Sequence, residues 1–232
     1  MEVQNVAIVT AAGSGTRMGG IVKKQFRELE GIPILIRTLG RFFASEVIDS
    51  VIITAPEEDI LYCQSLIEEY FGDIEKPWLV IGGGIERQDS IFGALQSCPH
   101  STRYVFIHDA VRPFVNEDLI SDLFEIVQID KAVIPVARLK HTIKSIDDSF
   151  IEQTVPRDRL VQAFTPQVFS YQLIQAAYEK AYQDGFISTD DSSLVEHYGG
   201  KVRYLLGSDL NIKITDEADM FFARQIIENN MI

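Results

Sequence analysis

Residues 3–27 carry Arg17, Lys23, Lys24 and Arg27 without a single Asp or Glu, although the 232-residue chain has a formal charge of −13. The same segment holds Gly13, Gly15, Gly19 and Gly20, and a second run, Gly82, Gly83 and Gly84, lies further on. Nearly half of the 15 glycines thus sit in two short stretches, which needs a local cause. Glycine permits positive φ and lets backbone N–H groups approach a ligand closely. A loop that combines it with Arg and Lys is therefore suited to a polyanion, phosphate above all. For either glycine run alone, a tight turn is the alternative. Two phosphate-loop templates fail: Gly13-Ser14-Gly15-Thr16-Arg17-Met18 lacks the third glycine of G-x-G-x-x-G, and no G-K-[ST] ending follows. A nicotinamide dehydrogenase and a P-loop ATPase are both disfavoured on that ground.

A carboxylate appears in His108-Asp109-Ala110-Val111-Arg112-Pro113, directly after an apolar run. Such a group can hold Mg²⁺ together with substrate phosphates, the alternative being a helix cap or an Arg partner. Lys213 interrupts the apolar stretch 211–215 and calls for an anionic partner or an edge position where its ammonium reaches water. Arg157, Arg159, Thr165-Pro166-Gln167 and Thr189-Asp190-Asp191 are weaker polar signals, and His108, His141 and His197 show no metal-ligand spacing.

These residues are placed by a regular alternation. Strands are predicted at 6–10, 51–54, 78–81, 104–107 and 132–136, with helices at 33–44, 57–71, 87–96 and 117–128. The strands are apolar throughout rather than alternating, as in a parallel sheet covered on both faces. The reading is an α/β fold with a doubly wound, mostly parallel sheet. In open sheets of this kind the ligand crevice lies at the carboxyl ends of the strands, where both glycine loops and Asp109 fall. The rhythm breaks at 138–155, where Thr142-Ile143-Lys144, Asp147-Asp148-Ser149 and Phe150-Ile151 predict a protruding β-hairpin arm that must pack on the parent sheet or a second subunit. Helices at 171–183, 190–197 and 217–228 and strands at 202–206 and 211–214 complete the chain, with no linker to divide residues 1–232.

Composition sets outer limits. The acidic balance excludes a generally basic nucleic-acid binder, and no apolar run approaches the ~20 residues that a membrane helix needs. The start lacks a signal-peptide pattern, and Cys63 and Cys98 form no C-x-x-C pair, so a cytoplasmic protein with reduced thiols is expected.

In this order the segments resemble the 2-C-methyl-D-erythritol 4-phosphate cytidylyltransferases of the non-mevalonate isoprenoid pathway, a family with a Rossmann-like nucleotidyltransferase fold. The resemblance rests on 11–18 (AAGSGTRM), 24–26 (KQF), 84–90 (GIERQDS), 108–113 (HDAVRP), 165–167 (TPQ), 189–191 (TDD) and 211–215 (NIKIT). It implies attack of a polyol phosphate on the α-phosphorus of CTP, with Mg²⁺ or another divalent cation as cofactor. On matching positions, Arg17, Lys24 and Lys213 are the catalytic cations. Ala11, Ala12, Gly13, Gly15, Gly83, Gly84 and Ser90 bind the nucleotide, and Asp109 holds the metal. The resemblance further implies a homodimer, in which the arm reaches a neighbouring subunit so that Thr142 and Arg157 grip the alcohol phosphate with Arg112 and Thr165. Two positions depart from the family pattern: Lys23 stands where Pro is usual, and Lys140-His141 replaces Arg-Asp before Thr142. A ribitol 5-phosphate cytidylyltransferase is the nearest alternative, and a non-catalytic nucleotide-binding module is the alternative of a different class.

Overall fold

The computed structural model describes residues 4–13 and 22–231. Its centre is a sheet in which β1 (Asn5–Thr10) lies between β4 (Ser50–Ala55) and β6 (Tyr104–Asp109), parallel to both. β5 (Trp78–Gly82) extends the sheet beyond β4, again parallel. On the other side β11 (Gln167–Ser170) is antiparallel to both β6 and β7 (Ala132–Arg138). One edge of β7 is shared by β11 and β10 (Val161–Ala163), and the opposite edge pairs in parallel with β12 (Arg203–Leu206).

Helices cover both faces because each strand presents apolar side chains on both. Against one face pack α1 (Ile34–Ala44), α2 (Ile60–Phe71) and α4 (Glu117–Asp130), burying Phe42, Ile67 and Leu123 with Val9, Ile53 and Phe106. Against the other pack α3 (Arg87–Gln96), α5 (Tyr171–Asp184) and α6 (Asp191–His197), burying Leu95, Tyr178 and Val195 with Ile8, Ile107 and Phe169. α7 (Glu217–Glu228) closes a third cluster through Met220, Ala223 and Ile226 on Leu29, Ile34 and Ile214. The helix ends follow local chemistry. Asn116 caps α4 by accepting the Leu119 N–H, and Gly185 ends α5 at φ 64°, a conformation that glycine adopts without steric cost. A small ribbon, β2 (Glu28–Leu29) with β3 (Ile32–Pro33), precedes α1.

The expected hairpin forms as β8 (Ile143–Asp147) and β9 (Phe150–Val155), which among the described residues pair only with each other. Ile146, Phe150 and Ile151 on this arm are 73%, 78% and 64% exposed, so the described part of the chain does not cover its apolar side.

One expectation needs correction, and two strands of the main sheet were not expected. The stretch 211–214 is not a strand; it runs extended beside the loop after β6, tied by Ile214 N–H to Val111 O at 2.9 Å, with Ile214 fully buried. A two-residue apolar period describes such a pinned segment as well as it does a strand. The unexpected strands are β10 and β11. β11 hides a polar residue, Gln167, whose amide bonds Asp190 Oδ2 and the Ser192 N–H and is thereby accommodated in the interior.

Candidate active site

The two glycine loops meet at the carboxyl ends of β1 and β5. A Cβ on Gly83 would fall 2.2 Å from Cβ of Ala12, so the loops touch only because residue 83 has no side chain. Gly83 N–H bonds Ala55 O, while Gly84 N–H bonds Ser90 Oγ at 3.0 Å. The Ser90 hydroxyl donates in turn to Glu86 O at 3.2 Å, folding the second loop back on the first turn of α3. Beneath the first loop the buried Gln25 amide donates to Ala11 O at 2.7 Å.

Between the loops and the end of β6 opens a cleft of about 360 Å³. Of the residues expected at a site, Ala11, Ala12, Gly13, Lys24, Gly84, Ser90, Asp109 and Lys213 line it together. Gly83 supports it from behind. Arg17 and Gly15 lie outside the described residues. The two neighbouring lysines separate: Lys24 lines the cleft, whereas Lys23 turns away to Glu58 (2.5 Å) and Asp59 (2.6 Å) ahead of α2. Lys23, the departure from the family pattern, therefore serves as an outer tie for the loop.

Asp109 is the electrostatic centre. Its Oδ2 takes Lys213 Nζ at 2.9 Å and Arg112 Nε at 3.3 Å, while Oδ1 takes Arg87 Nε at 3.3 Å. Burial alone would raise its proton affinity. Arg87, followed by Lys213 and Arg112, outweighs that and holds the carboxyl far below the usual range, so it is ionised. The expectation that Asp109 is a metal ligand meets a different arrangement: both oxygens already face cations. Among the described residues no group of three or more His, Cys, Asp or Glu is placed to hold a metal. A divalent ion at Asp109 would have to draw its other ligands from substrate phosphates and water.

Arg112 and Thr165, expected to bind substrate, lie under the cleft floor, 8% and 5% exposed. Arg112 also donates to Asn211 O at 2.9 Å and covers the Phe164 ring at 5.0 Å. Thr165 Oγ1 accepts the Asp109 N–H at 3.2 Å and lies 3.0 Å from His108 Nδ1, while His108 Nε2 lies 3.0 Å from Arg112 O. A carbonyl only accepts, so Nε2 carries the proton of the neutral ring and Nδ1 accepts from the Thr165 hydroxyl. Burial pushes His108 down to about 4, keeping it neutral. The Thr165 proton is thus committed to His108, and both residues shape the floor that presents Asp109.

Thr142 and Arg157 are not part of this cleft. Both are exposed near the base of the arm, where Arg157 Nη1 donates to Lys140 O. Sequence reasoning missed Arg87, which lines the cleft and joins Asp109 to Asp191. Its signal was its place as the first residue of a helix directly after the second glycine loop. Both cysteines are free, and no described helix is long and apolar enough to cross a membrane.

Comparisons with known proteins identify the family and the fold. A family model described as IspD, 2-C-methyl-D-erythritol 4-phosphate cytidylyltransferase, matches residues 5–229. Proteins of that name from Geotalea uraniireducens and Geobacillus thermodenitrificans are 38% and 39% identical to the chain over 225 residues. These alignments span 96% and 97% of the chain and equal shares of the relatives. The solved 4-diphosphocytidyl-2C-methyl-D-erythritol synthase from Anaerococcus prevotii superposes with a TM-score of 0.85 at 32% identity, covering 98% of this chain and all of that one. The Thermus thermophilus cytidylyltransferase gives 0.78 at 26% identity, covering 98% and 100%. With nearly every residue inside the matched region and the fold shared end to end, this chain belongs to the 2-C-methyl-D-erythritol 4-phosphate cytidylyltransferase family.

Proposed function

We propose that the chain joins CTP to 2-C-methyl-D-erythritol 4-phosphate, releasing pyrophosphate and forming 4-diphosphocytidyl-2-C-methyl-D-erythritol for isoprenoid biosynthesis. The observation that carries this reading is the gathering of Lys24, Arg87 and Lys213 with two glycine loops around one cleft in an otherwise acidic chain. The reaction brings an attacking phosphate to the α-phosphorus of another anion. Positioning and charge neutralisation supply most of what such a displacement needs, and no covalent nucleophile is required.

Lys24 and Arg17 hold the triphosphate from the first loop, Gly13 and Gly15 let its backbone approach, and Lys213 neutralises charge that develops at the α-phosphate. The base lies against Ala11, Ala12 and the 83–84 loop. Ser90 gives its proton to Glu86 O, so its oxygen offers only a lone pair. That oxygen can accept from the amino group of cytosine and has no proton for the carbonyl that uracil carries at the same position. A divalent cation, Mg²⁺ above all, enters with the triphosphate as part of the substrate. This agrees with the preference of Mg²⁺ for phosphate oxygens and water, and with the occupied oxygens of Asp109.

Thr142 and Arg157 are exposed and distant from the lining of their own cleft, and the arm beside them carries uncovered apolar residues. Both features support a homodimer in which each arm carries Thr142 and Arg157 to the partner's alcohol phosphate. A cytoplasmic setting suits reduced cysteines and a soluble nucleotide substrate. The test offers methylerythritol 4-phosphate and ribitol 5-phosphate in parallel with CTP and Mg²⁺. Pyrophosphate release with the first and not the second is expected; release with ribitol 5-phosphate alone overturns the substrate assignment.

A further inference from the structure

The segment Thr189-Asp190-Asp191 has no role in the mechanism above, yet its second carboxylate is bonded to Arg87, which lines the cleft. The two aspartates divide their work. Asp190 caps α6, accepting the Ser193 N–H at 3.1 Å and the Ser192 hydroxyl at 2.8 Å. Asp191 is fully buried, and the bonds recorded for its side chain run to other elements. Its Oδ1 accepts the Tyr178 hydroxyl from α5 at 2.6 Å, and its Oδ2 accepts Arg87 Nη2 at 2.9 Å. Arg87 continues through Nε to Asp109. The path Tyr178, Asp191, Arg87, Asp109 therefore joins α5, α6, the first residue of α3 and the end of β6.

We propose that Asp191, oriented by Tyr178, is a positioning residue that fixes the Arg87 guanidinium across the cleft and so sets how Asp109 is shared between Arg87 and Lys213. An arginine with one carboxylate partner closes on it through two nitrogens, since guanidinium and carboxylate match as forks. Held at Nη2 by Asp191, Arg87 reaches Asp109 through Nε alone and engages only Oδ1. Oδ2 is thereby left to Lys213 and Arg112. Loss of the Asp191 charge lets Arg87 turn fully onto Asp109 and displaces Lys213 from its bearing on the cleft. Tyr178 is suited to hold Asp191 because it is itself immobile: it is fully buried beside Phe92, with ring centroids 5.9 Å apart.

This inference rests on the reading of the cleft as the site of cytidylyl transfer. The experiment measures kcat, KM for CTP and Tm for the unsubstituted chain, Asp191→Asn, Asp191→Glu, Tyr178→Phe, Arg87→Gln and the two double variants with Arg87→Gln. Asp191→Asn should lower kcat by about ten- to a hundredfold, as misplacement of a positioned charge does, with KM for CTP within about threefold. Asp191→Glu should recover part of the loss, and Tyr178→Phe should show a smaller loss of the same kind. In the Arg87→Gln background neither substitution should lower kcat further, because the group they position is gone. Losses that multiply in the double variants, or wild-type kcat in Asp191→Asn, overturn the proposal. If Asp191→Asn does not fold, the Tyr178→Phe pair decides by the same criterion. An unsubstituted chain that turns over no polyol phosphate with CTP overturns the activity reading itself, and this proposal with it.

Discussion

His108 provides a test of the cleft floor that needs no substrate. Its ring is buried, packed 4.9 Å from Phe42, and bonded at both nitrogens. Folding lowers its value from 6.5 to about 4, first through burial and then against the opposing pull of Arg112 O and Asp109. The unfolded chain therefore binds more protons between these values, and stability falls as the solution is acidified through that window. Above pH 7 the contribution is complete; by pH 5 the unfolded imidazole is mostly protonated and the folded one still mostly neutral. At ~1.4 kcal/mol per tenfold change in proton affinity, the loss between pH 7.5 and pH 5 is about 2 kcal/mol. Asp109 is depressed as well, but its unfolded value is near 3.8, so its own loss falls below this range.

The assay is urea unfolding at half-unit steps from pH 7.5 to pH 5 for the unsubstituted chain and for His108→Gln, which keeps a donor near Arg112 O. The variant starts less stable at every pH, and that offset is irrelevant. What matters is the slope: stability of the unsubstituted chain should fall by about 2 kcal/mol more than that of the variant across the range. Parallel curves would mean that His108 titrates normally. They would also refute the proton arrangement in which Thr165 donates to the ring and Arg112 O accepts from it.

Lys24→Ala and Lys213→Ala are each expected to lower kcat by roughly a hundredfold or more with modest change in CTP affinity, whereas Lys23→Ala should leave kcat within about threefold, as steady-state kinetics of the three will show. Ser90→Ala should raise KM for CTP by about two- to tenfold, the worth of one hydrogen bond, and narrow the preference for CTP over UTP in competition assays. Asp109→Asn should reduce turnover while leaving the Mg²⁺ concentration for half-maximal activity unchanged; a large rise would return the carboxylate to the role of metal ligand. Sedimentation should show a dimer that Phe150→Glu weakens, with turnover lost in proportion to the monomer formed.

The sheet was legible because its parallel strands are buried on both faces and read as short apolar runs between helical periods; β1, β4, β5 and β6 fall where those runs are. β11 was not, since Gln167 breaks its pattern and is satisfied only by Asp190 and Ser192, residues distant in sequence. The same limit governs the site. Glycines and cations crowded into one loop give a local signal, and Lys24, Gly84 and Ser90 do line the cleft. Arg87 and Asp191 give only a weak one, a charge at the start of a helix, for a charge becomes informative only when its partner is known, and theirs come together only when α3, α6 and the end of β6 are assembled. Asp109 shows the converse: sequence placed it correctly at the strand end, but its partners made it an acceptor for three cations.

That role answers a difficulty inherent in any site built to join two anions. Arg87, Arg112 and Lys213 converge on one point, and at close range each like-charged pair repels by about 4 kcal/mol where the effective dielectric is near 20. Without a counter-charge the cluster would splay before substrate arrives and would have to be reassembled in each cycle. Asp109 keeps it assembled, which is the condition for electrostatic stabilisation without reorganisation. The three cations are not bound alike, however. Arg112 is also anchored to Asn211 O and Arg87 to Asp191, whereas the ion pair recorded for Lys213 is to Asp109 alone, with 39% of its side chain exposed. Among the described contacts, Lys213 can therefore move toward an incoming phosphate by giving up one partner, while the two arginines stay and hold Asp109 in place. A flexible ammonium on a fixed guanidinium base suits a charge that must follow the reacting phosphorus, and a lysine supplies it better than the rigid fork of an arginine.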